Sequence, residues 1–454
     1  MSGEERDFVA LRFGLGPAAP DEDWSPDGMV KMVAGFGPGL RLALPSSAGR
    51  FVTRTQLLNE RRQTKDAKAD VRKQAQMRYA VFNNRTFVSD VHKRVIWAVT
   101  TPLPFVDRLL AYWSNHFTVS ARQSPIGVIT GPYEVEALQP HIGGRFADLL
   151  KAAVKHPAML LYLNQSNSIG PNSPAGRRRN RGLNENLARE ILELHTLGVN
   201  GGYTQADVTE FARLMTGWTV ERKTGLAVFR RNQAEPGSKT LLGRKFGGGP
   251  AASGDFDAAL DFLAEHPSTA KHVATRIVRH FIADDPAPDA IADVAQAFSR
   301  SGGDLLAVYR ALASLPEARV RTGAKARTDR DFLIAALRAI ALPKVRLDTS
   351  GDPPKGVGLT VGALRLLQQP YWNALSPAGW PEEAGEWLSP AGLAGRLQII
   401  PRLVRTSTLR TPDELIDRAL GSVVSERTSR IVQAASNRDE AMALVLASPE
   451  FNRR

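Results

Sequence analysis

Apolar residues recur at helical spacing along most of this chain, and the clearest run begins near residue 105. Steps of three, four and seven residues place its apolar positions on one stripe of an amphipathic helix. These positions are Val106, Leu109, Leu110, Trp113 and Phe117. Similar runs cover 144–163 and 184–197, and helical spacing returns from 255 onward. We therefore predict a mainly α-helical protein built from many helices.

One segment departs from the helical pattern. Residues 225–249 keep two short apolar pieces, 226–229 and 240–242, on either side of Glu235–Gly237. This predicts a small β-hairpin at most. The length of 454 residues would fit two or three domains of ~150 residues, but no linker is polar enough to force a division. We expect one large helical domain over 1–454, with 343–360 as the best candidate boundary.

The composition excludes several kinds of chemistry. The chain has no cysteine, which removes disulfides, thiolate metal ligands and cysteine nucleophiles. Its first residues include the acids Glu4 and Glu5 and no apolar run of signal-peptide length. No stretch reaches the ~18 continuous apolar residues of a membrane span. We therefore expect a soluble, cytoplasmic protein, with export alongside a partner left open.

Positive charge is concentrated in the first quarter of the chain. The formal charge is +13, and residues 51–100 hold eleven Lys or Arg against four acids, a net of +7. Such a stripe attracts nucleic acid, acidic lipid or an acidic protein. Its most basic part, 54–78, contains no aromatic residue for base stacking, which argues against nucleic acid. We favour a solvated basic face or a surface for a protein partner.

Several motifs resemble those of a large bacterial family. The longest is the run from Asn184 to Gly198, NENLAREILELHTLG. Shorter motifs are RFGLGP at 12–17, WSNHF at 113–117, SPAGWP at 376–381 and SPEF at 448–451. Together they resemble the domain-of-unknown-function family numbered eighteen-hundred, over almost the whole chain. The long run carries the resemblance, because each short motif alone is weak.

The resemblance implies one helical unit and a protein partner, but it supplies no reaction. Genes of this family often lie beside genes of a second family, numbered fifteen-oh-one, which resembles sulfatases and alkaline phosphatases. A member of that second family is the partner that the resemblance implies. Neither the resemblance nor the residues indicate a particular cofactor.

The run at 184–197 predicts an amphipathic helix, with Asn184 as its N-cap and Gly198 just past its end. At ~100° per residue, one arc is polar and the opposite arc, which includes His195, is apolar. The polar arc either lines a buried cleft, with Arg189 held between carboxylates, or faces solvent with i,i+4 pairs worth ~0.3–0.5 kcal/mol each. Its residues are Glu185, Asn186, Arg189, Glu190, Glu193 and Thr196.

The segment before this helix, 164–182, is rich in Asn, Ser, Gly and Pro, and we predict a long loop. Arginines crowd its end. They are Arg177, Arg178, Arg179 and Arg181. Arginines beside a helix N-terminus suit an anionic ligand, so we predict an anion site at this loop.

A histidine on the 105–119 helix is the main candidate for chemistry. His116 stands at the edge of the apolar stripe, and Asn115 points ~100° away from it. There, His116 could meet a carboxylate of the 184–197 helix and act as a base or a metal ligand. The alternative is a packing or capping histidine near a helix end. Our candidate catalytic residues are His116, Glu185, Arg189 and Glu193, and our candidate binding residues include Asn115, Asn184, Asn186 and Glu190.

Other motifs are missing or open to two interpretations. The sequence has no His-Glu-x-x-His and no repeated Glu-x-x-His, so we assign no metal ligands. It also lacks a Gly-x-Ser-x-Gly elbow and a phosphate-binding loop. Aromatic residues among prolines at 370–390 either stack on a sugar or peptide or anchor an irregular segment onto helices. We name Trp380 as the binding candidate from this group.

Two functions follow as expectations. The first is an accessory or interaction protein that acts with the sulfatase- or phosphatase-like partner, because the chain has a basic stripe and an Arg-rich loop but no recognised catalytic motif. The alternative is a hydrolase with a carboxylate–histidine site between the 105–119 and 184–197 helices, with or without a metal. The direction in which the polar arc of 184–197 faces is the observation that bears most on this choice.

Overall fold

The computed structural model describes residues 1–122, 125–179, 182–320, 323, 325–350 and 354–454. Helices dominate it, and within the described ranges the named strands lie between 218 and 246. The prediction of a mainly α-helical protein is confirmed. Among the described residues, no helix combines the length and the apolar content that crossing a membrane requires.

The first part of the chain supplies the helices that carry much of the core. They are α1 (Gly3–Gly14), α2 (Pro26–Ala34), α3 (Ser47–Gln63), α4 (Ala69–Thr100), α5 (Pro104–His116), α6 (Thr130–Tyr133), α7 (Phe146–Lys155) and α8 (Pro157–Tyr162). Two prolines set helix boundaries. Pro104 opens α5, and Pro157 separates α7 from α8, since proline lacks a backbone donor but fits the first turn of a helix.

The middle of the chain mixes short helices with strands. The elements are α9 (Pro174–Arg179), α10 (Asn186–Glu190), α11 (Gln205–Met215), β1 (Trp218–Val220), β2 (Ala227–Phe229), β3 (Lys239–Leu241) and β4 (Arg244–Phe246). β1 pairs with β2 and β3 with β4, so the predicted pairing of 226–229 with 240–242 was wrong. Each piece pairs with a nearer segment. Leu242 and Gly243 both have positive φ, which closes β3 and β4 with a two-residue turn.

Helices occupy the rest of the chain. They are α12 (Ser253–Ala264), α13 (Pro267–Phe281), α14 (Pro288–Arg300), α15 (Leu305–Ser314), α16 (Asp329–Ala339), α17 (Lys344–Leu347), α18 (Val361–Leu366), α19 (Ala384–Trp387), α20 (Pro390–Val404), α21 (Pro412–Ala419), α22 (Glu426–Gln433), α23 (Arg438–Ala447) and α24 (Pro449–Asn452). Side-chain caps such as Ser389, Thr411 and Asn437 start several of them.

The described chain also contains short π-helical and 3₁₀ turns. The π-helical turns are Glu134–Leu138 and Ile191–His195. The 3₁₀ turns are Pro38–Leu40, Ile126–Val128, Gln165–Asn167, Arg231–Gln233, Pro316–Ala318, Val357–Leu359 and Gly421–Val423.

Two apolar clusters form the interior. The larger draws on α2, α5, α7, α8 and α11 to α15, and the smaller on the end of α4 together with α16, α18, α20, α21 and α23. Helix α1 belongs to both, because Val9 and Phe13 enter the larger cluster while Phe8 and Leu11 enter the smaller. Phe13 stacks on Phe281 with ring centroids 5.3 Å apart. The number of domains stays a prediction.

Candidate functional site

The helix that carries the longest motif starts and winds differently from the prediction. It begins at Asn186, one residue later than expected, and the Asn184 side chain accepts a hydrogen bond from the Asn186 N–H at 3.0 Å. From Ile191 it widens into a π-helical turn, so a step of ~100° per residue applies only up to that point. Gly198, with φ +83°, ends the segment as predicted.

The first part of the polar arc lies at the surface against α11. Glu185 accepts hydrogen bonds from Thr209 Oγ1 at 2.7 Å and Gln205 Nε2 at 2.8 Å. Arg189 Nη2 lies 3.4 Å from the same carboxylate, and the two side chains stay 42% and 30% exposed. The hydrogen bond from Thr209 lowers the pKa of Glu185. Asn186 is exposed. These side chains therefore form a partly solvated network.

The second part of the arc is half-buried. Burial raises the pKa of Glu190, and the neighbouring charge of Glu193 adds to the effect. Tyr162 lies beside Glu190, and burial together with that carboxylate raises the pKa of the phenol to about 12. Within the described ranges, no group of three or more His, Asp or Glu side chains has the arrangement of a metal site.

His116 lies in a buried cluster of imidazoles. Its Nε2 is 3.1 Å from the carbonyl oxygen of His195, and His272 Nε2 is 2.9 Å from that of Leu194. These carbonyls belong to the end of the π-helical turn, where main-chain acceptors lose helical partners. Burial lowers the pKa of all three histidines, of His195 to about 3, and the charge of Arg276 lowers each further.

Among the described residues, no hydrogen bond or ion pair joins His116 to Glu185, Arg189 or Glu193. The described neighbours of the His116 ring are aromatic rings and imidazoles, and its hydrogen bond goes to a main-chain oxygen. Glu185 and Arg189 instead contact each other and α11.

The Arg-rich loop contains a short helix, α9, which the sequence did not predict. Arg177 and Arg178 are exposed on it, and Arg178 Nε donates to the carbonyl oxygen of Pro174 at 3.0 Å. Arg181 and the side chain of Arg179 lie outside the described residues. The anion site stays a prediction.

A cavity of about 70 Å³ lies between α5, α13, the start of α16 and the segment 369–382. Its lining combines aromatic walls with a few polar and charged groups, as small-molecule sites do. The residues that matter for its chemistry are Ser114, Asn115, His280, Arg330, Asp331, Tyr371, Trp372, Trp380 and Glu382. Two of our binding candidates, Asn115 and Trp380, are therefore in one cavity wall.

His280 and Glu382 form a carboxylate–histidine pair in this wall. His280 Nδ1 is 2.9 Å from both carboxylate oxygens. Burial lowers the pKa of His280, although Glu382 opposes the shift. Burial would raise the pKa of Glu382, but the charges of His280, Lys325 and Arg276 outweigh it and lower the pKa to about 2. A neutral imidazole beside a carboxylate must carry its proton on Nδ1 to make this bond.

The other ring nitrogen of His280 is therefore the basic one. His280 Nε2 is buried and has no hydrogen-bond partner among the described residues. The ring of Tyr112 lies 5.4 Å from the imidazole, and its buried hydroxyl likewise lacks a partner in the described chain. Burial raises the pKa of Tyr112, so this phenol stays protonated. A proton acceptor and a proton donor thus belong to neighbouring rings, and neither has a hydrogen-bond partner among the described residues.

Asn115 fixes the segment that carries Glu382. Its Oδ1 accepts from the Trp380 N–H at 2.7 Å, and its Nδ2 donates to the Trp380 carbonyl oxygen at 3.0 Å. Gly379 precedes this contact with φ +86°, and a Cβ there would meet Asn115 Oδ1 at 2.4 Å. Glycine is therefore needed for the close approach. Lys325 Nζ holds the same segment by donating to the carbonyl oxygen of Glu382.

An ionic network supports the opposite wall. Arg330 donates to both Asp107 oxygens at 2.7 Å, to Asp331 at 3.0 Å and to the Tyr371 hydroxyl at 3.1 Å. Asp107 also accepts from Arg94 at 2.6 Å. Burial opposes ionisation of Asp107, but the two arginines lower its pKa to about 2. Each of the three nitrogens of Arg330 thus donates to a protein partner.

Sequence reasoning missed His280, Glu382 and Tyr112. His280 and Glu382 lie 102 positions apart, so no local pattern links them. One signal was present. The motifs at 113–117 and 376–381 meet through Asn115 and Trp380, which indicates the region of the chain where the cavity forms.

Comparison with known proteins gives one positive result. A family model described as a protein of unknown function, DUF1800, matches residues 31–453. No curated protein and no solved structure was found to match the chain. Because the match covers nearly all of the chain, this protein belongs to the DUF1800 family.

Proposed function

We propose that this protein is a hydrolase in which His280 acts as the general base and Glu382 orients it. The observation that carries the proposal is the 2.9 Å contact from His280 Nδ1 to Glu382 in a cavity wall, with Nε2 left without a partner in the described chain. A carboxylate that fixes the tautomer of a histidine is the arrangement of base and orienting group in acyl hydrolysis. This moves the expected carboxylate–histidine site away from the 184–197 helix while keeping α5 as one wall.

The proposed reaction is hydrolysis of an ester or amide. His280 Nε2 takes a proton from water, and the water oxygen bonds to the carbonyl carbon. The bond from that carbon to the leaving group then breaks, and the leaving group takes the proton from Nε2. Glu382 stays ionised throughout, because its low pKa disfavours protonation. The ring of Tyr112 lies 5.4 Å from that of His280 and its hydroxyl has no partner in the described chain, so we assign this hydroxyl to the developing oxyanion.

The charges around the cavity favour an uncharged substrate. With His280 neutral, Arg330 is the cationic side chain of the described lining, and its guanidinium is bound to carboxylates and to Tyr371. Lys325 is likewise engaged, with Asp284 at 2.7 Å. Glu382 adds negative charge. A phosphate or sulfate ester would therefore enter without a free cationic partner in this lining, which is costly in a buried site.

The test compares activities of matched variants. We expect wild-type protein to hydrolyse p-nitrophenyl acetate or butyrate faster than p-nitrophenyl phosphate or sulfate. His280→Gln and Glu382→Gln should each lower kcat/KM by ~10²–10⁴-fold, the range for loss of a general base. His141→Gln, at a half-buried histidine outside the described cavity lining, is the control. Faster turnover of the phosphate or sulfate ester, or full activity in His280→Gln, would contradict the proposal.

We also propose the accessory role, with a member of the family numbered fifteen-oh-one as the partner. The observation that favours it is the helical hairpin that α3 and α4 form. Its residues 60–85 are basic and mostly exposed to solvent. Arg177 and Arg178 add exposed positive charge that would suit an acidic surface or a small anion. The test is co-expression of the two proteins followed by gel filtration. Elution as separate species at micromolar concentration would refute this second function.

A further inference from the structure

A short antiparallel pairing brings two buried arginines together behind the cavity wall that carries His280. The Arg327 N–H donates to the carbonyl oxygen of Asn452 at 3.0 Å, and the Arg454 N–H donates to that of Lys325 at 2.8 Å. Arg327 is 0% exposed, and so is the side chain of Arg454. Arg454 Nη2 also donates to the carbonyl oxygen of His280 at 3.1 Å, which fixes this guanidinium against α13.

The Arg327 guanidinium has no hydrogen-bond partner among the described residues. All three of its nitrogens are buried, and together they carry five N–H donors. The ring of Phe451, whose centroid lies 4.6 Å from Arg327 Cζ, covers one face of the guanidinium but does not accept bonds from its edge. A buried charge without hydrogen bonds is strongly destabilising, so native structures nearly always supply a partner to such a group.

Two neighbouring arginines leave further donors unused. Arg108 Nη1 donates to Asp331, while its Nε and Nη2 are buried without a partner in the described chain. Arg454 Nη1 lies 3.4 Å from Asp331, but the contact lacks hydrogen-bond geometry, and the Nε of Arg454 is unpaired as well. Burial lowers the pKa of Arg327 to about 9, with Asp331 opposing the shift and the charges of Arg108 and Arg396 adding to it. These charges therefore act on one another in a common interior.

Positive charge exceeds negative charge in this interior. The ion-pair network around Asp331 joins four arginines to three carboxylates, and Arg327 adds a fifth cation. The paired members are Arg94, Arg108, Arg330 and Arg454 with Glu134, Asp107 and Asp331. The adjoining ion pairs bring two more cations and three more carboxylates. They are Lys325 with Asp284 and Glu382, and Arg396 with Asp329. With His280 neutral, these groups together keep an excess of one positive charge.

We propose that Arg327, with Arg108 adding a second charge, binds a small monovalent inorganic anion such as chloride inside the protein. The inference is independent of the hydrolase and accessory roles proposed above. The anion is small because the Arg327 guanidinium has no exposed surface. Water could accept the same hydrogen bonds, but it would leave the excess charge unbalanced. Asp331 is the acid of this site, and its repulsion is offset because Arg108 and Arg330 already donate to it.

Equilibrium unfolding of the full chain measures this binding, because the unfolded chain releases the ion. We expect the midpoint urea concentration to rise with sodium chloride or sodium bromide while sodium gluconate keeps the ionic strength constant. Arg327→Met keeps much of the side-chain volume but removes the charge, so it should abolish this rise. Arg427→Met, at an exposed arginine of α22, is the matched control and should leave the rise unchanged.

Crystals of the wild-type protein soaked in bromide give a second readout that does not depend on the folding of a variant. We expect an anomalous peak within hydrogen-bonding distance of the Arg327 guanidinium. Water at that position, or peaks at exposed arginines alone, would overturn the proposal. So would a urea midpoint that does not depend on chloride, or a dependence that survives in Arg327→Met. If Arg327→Met does not fold, the bromide peak and the chloride dependence of the wild type decide.

Discussion

The cavity region and the helix at 186–195 contain the same kinds of residues, but burial gives them different roles. Around the cavity, Asp107 is buried and the Glu382 side chain is only 11% exposed, and cationic neighbours lower the pKa of each to about 2. On the helix, the Glu185–Arg189 pair is partly exposed and contacts α11. Buried ionic groups depend on every partner, whereas exposed pairs exchange their partners for water at little cost. The longest motif in the sequence therefore lies where charged side chains remain partly solvated, and not where they depend on protein partners.

The largest expected effect comes from breaking the buried network. Asp107→Asn would leave Arg94 and Arg330 without the carboxylate that they share. We expect the free energy of unfolding to fall by ~3–5 kcal/mol, as when one partner of a buried ion pair is removed. Urea denaturation monitored by circular dichroism measures it, with Glu185→Gln as the matched change on the exposed side. A loss below ~1 kcal/mol for Asp107→Asn would erase the contrast between the two regions.

The second effect is a loss of stability in acid, which we expect from the buried cluster of His116, His195 and His272. His195 has its pKa lowered to about 3 by burial, whereas an unfolded histidine titrates near ~6.5. Between these values the unfolded chain binds a proton that the folded chain excludes. The free energy of unfolding therefore decreases as the pH falls, by up to ~1.4 kcal/mol per pH unit for each such group. Denaturation curves from pH ~6.5 to ~4 should show a flatter dependence for His195→Phe, and an unchanged slope would count against this origin.

The third effect separates catalysis from stability inside the cavity region. Tyr112→Phe removes a buried hydroxyl that has no partner in the described chain, so stability should change by less than ~1 kcal/mol. If the hydroxyl contacts the oxyanion, kcat should fall by ~10–100-fold with little change in KM. Steady-state kinetics on the ester and a melting curve provide both readouts. Unchanged kcat would remove Tyr112 from the site.

The smallest effect is expected on the polar arc. Arg189→Ala breaks a 3.4 Å contact between partly exposed side chains, so the free energy of unfolding should fall by no more than ~0.5 kcal/mol. Esterase activity should stay within twofold of wild type. A large loss of activity with intact stability would instead support the catalytic residues predicted from the sequence, His116, Glu185, Arg189 and Glu193.

Local features of the fold were readable from the sequence. Pro104 and Pro157 open helices, and Thr204 with Asp207 three positions on forms a capping box, both of which are local patterns of the sequence. Each depends on residues within four positions of one another. The widened turn at 191–195 was not readable, because the histidines that contact its carbonyl oxygens, His116 and His272, lie on other helices and far away in the sequence.

The candidate site was only partly readable, for the same reason. Asn115 and Trp380 were named, since each lies in a motif of its own. The pairing of His280 with Glu382 depends on how α13 packs against the segment 376–382, and a lone His in an apolar helical stripe gives no sign of that carboxylate. His116 was the more prominent histidine in the sequence because of its neighbours, which proved to be its packing environment.

The double membership of α1 has a consequence for cooperativity. One face of this helix supplies Val9 and Phe13 to the larger cluster, and another supplies Phe8 and Leu11 to the smaller. Detaching α1 exposes apolar surface in both at once, so neither cluster can melt while the other keeps its full complement of contacts. We therefore expect this short helix near the start of the chain to couple the unfolding of the two clusters, so that calorimetry records a single transition.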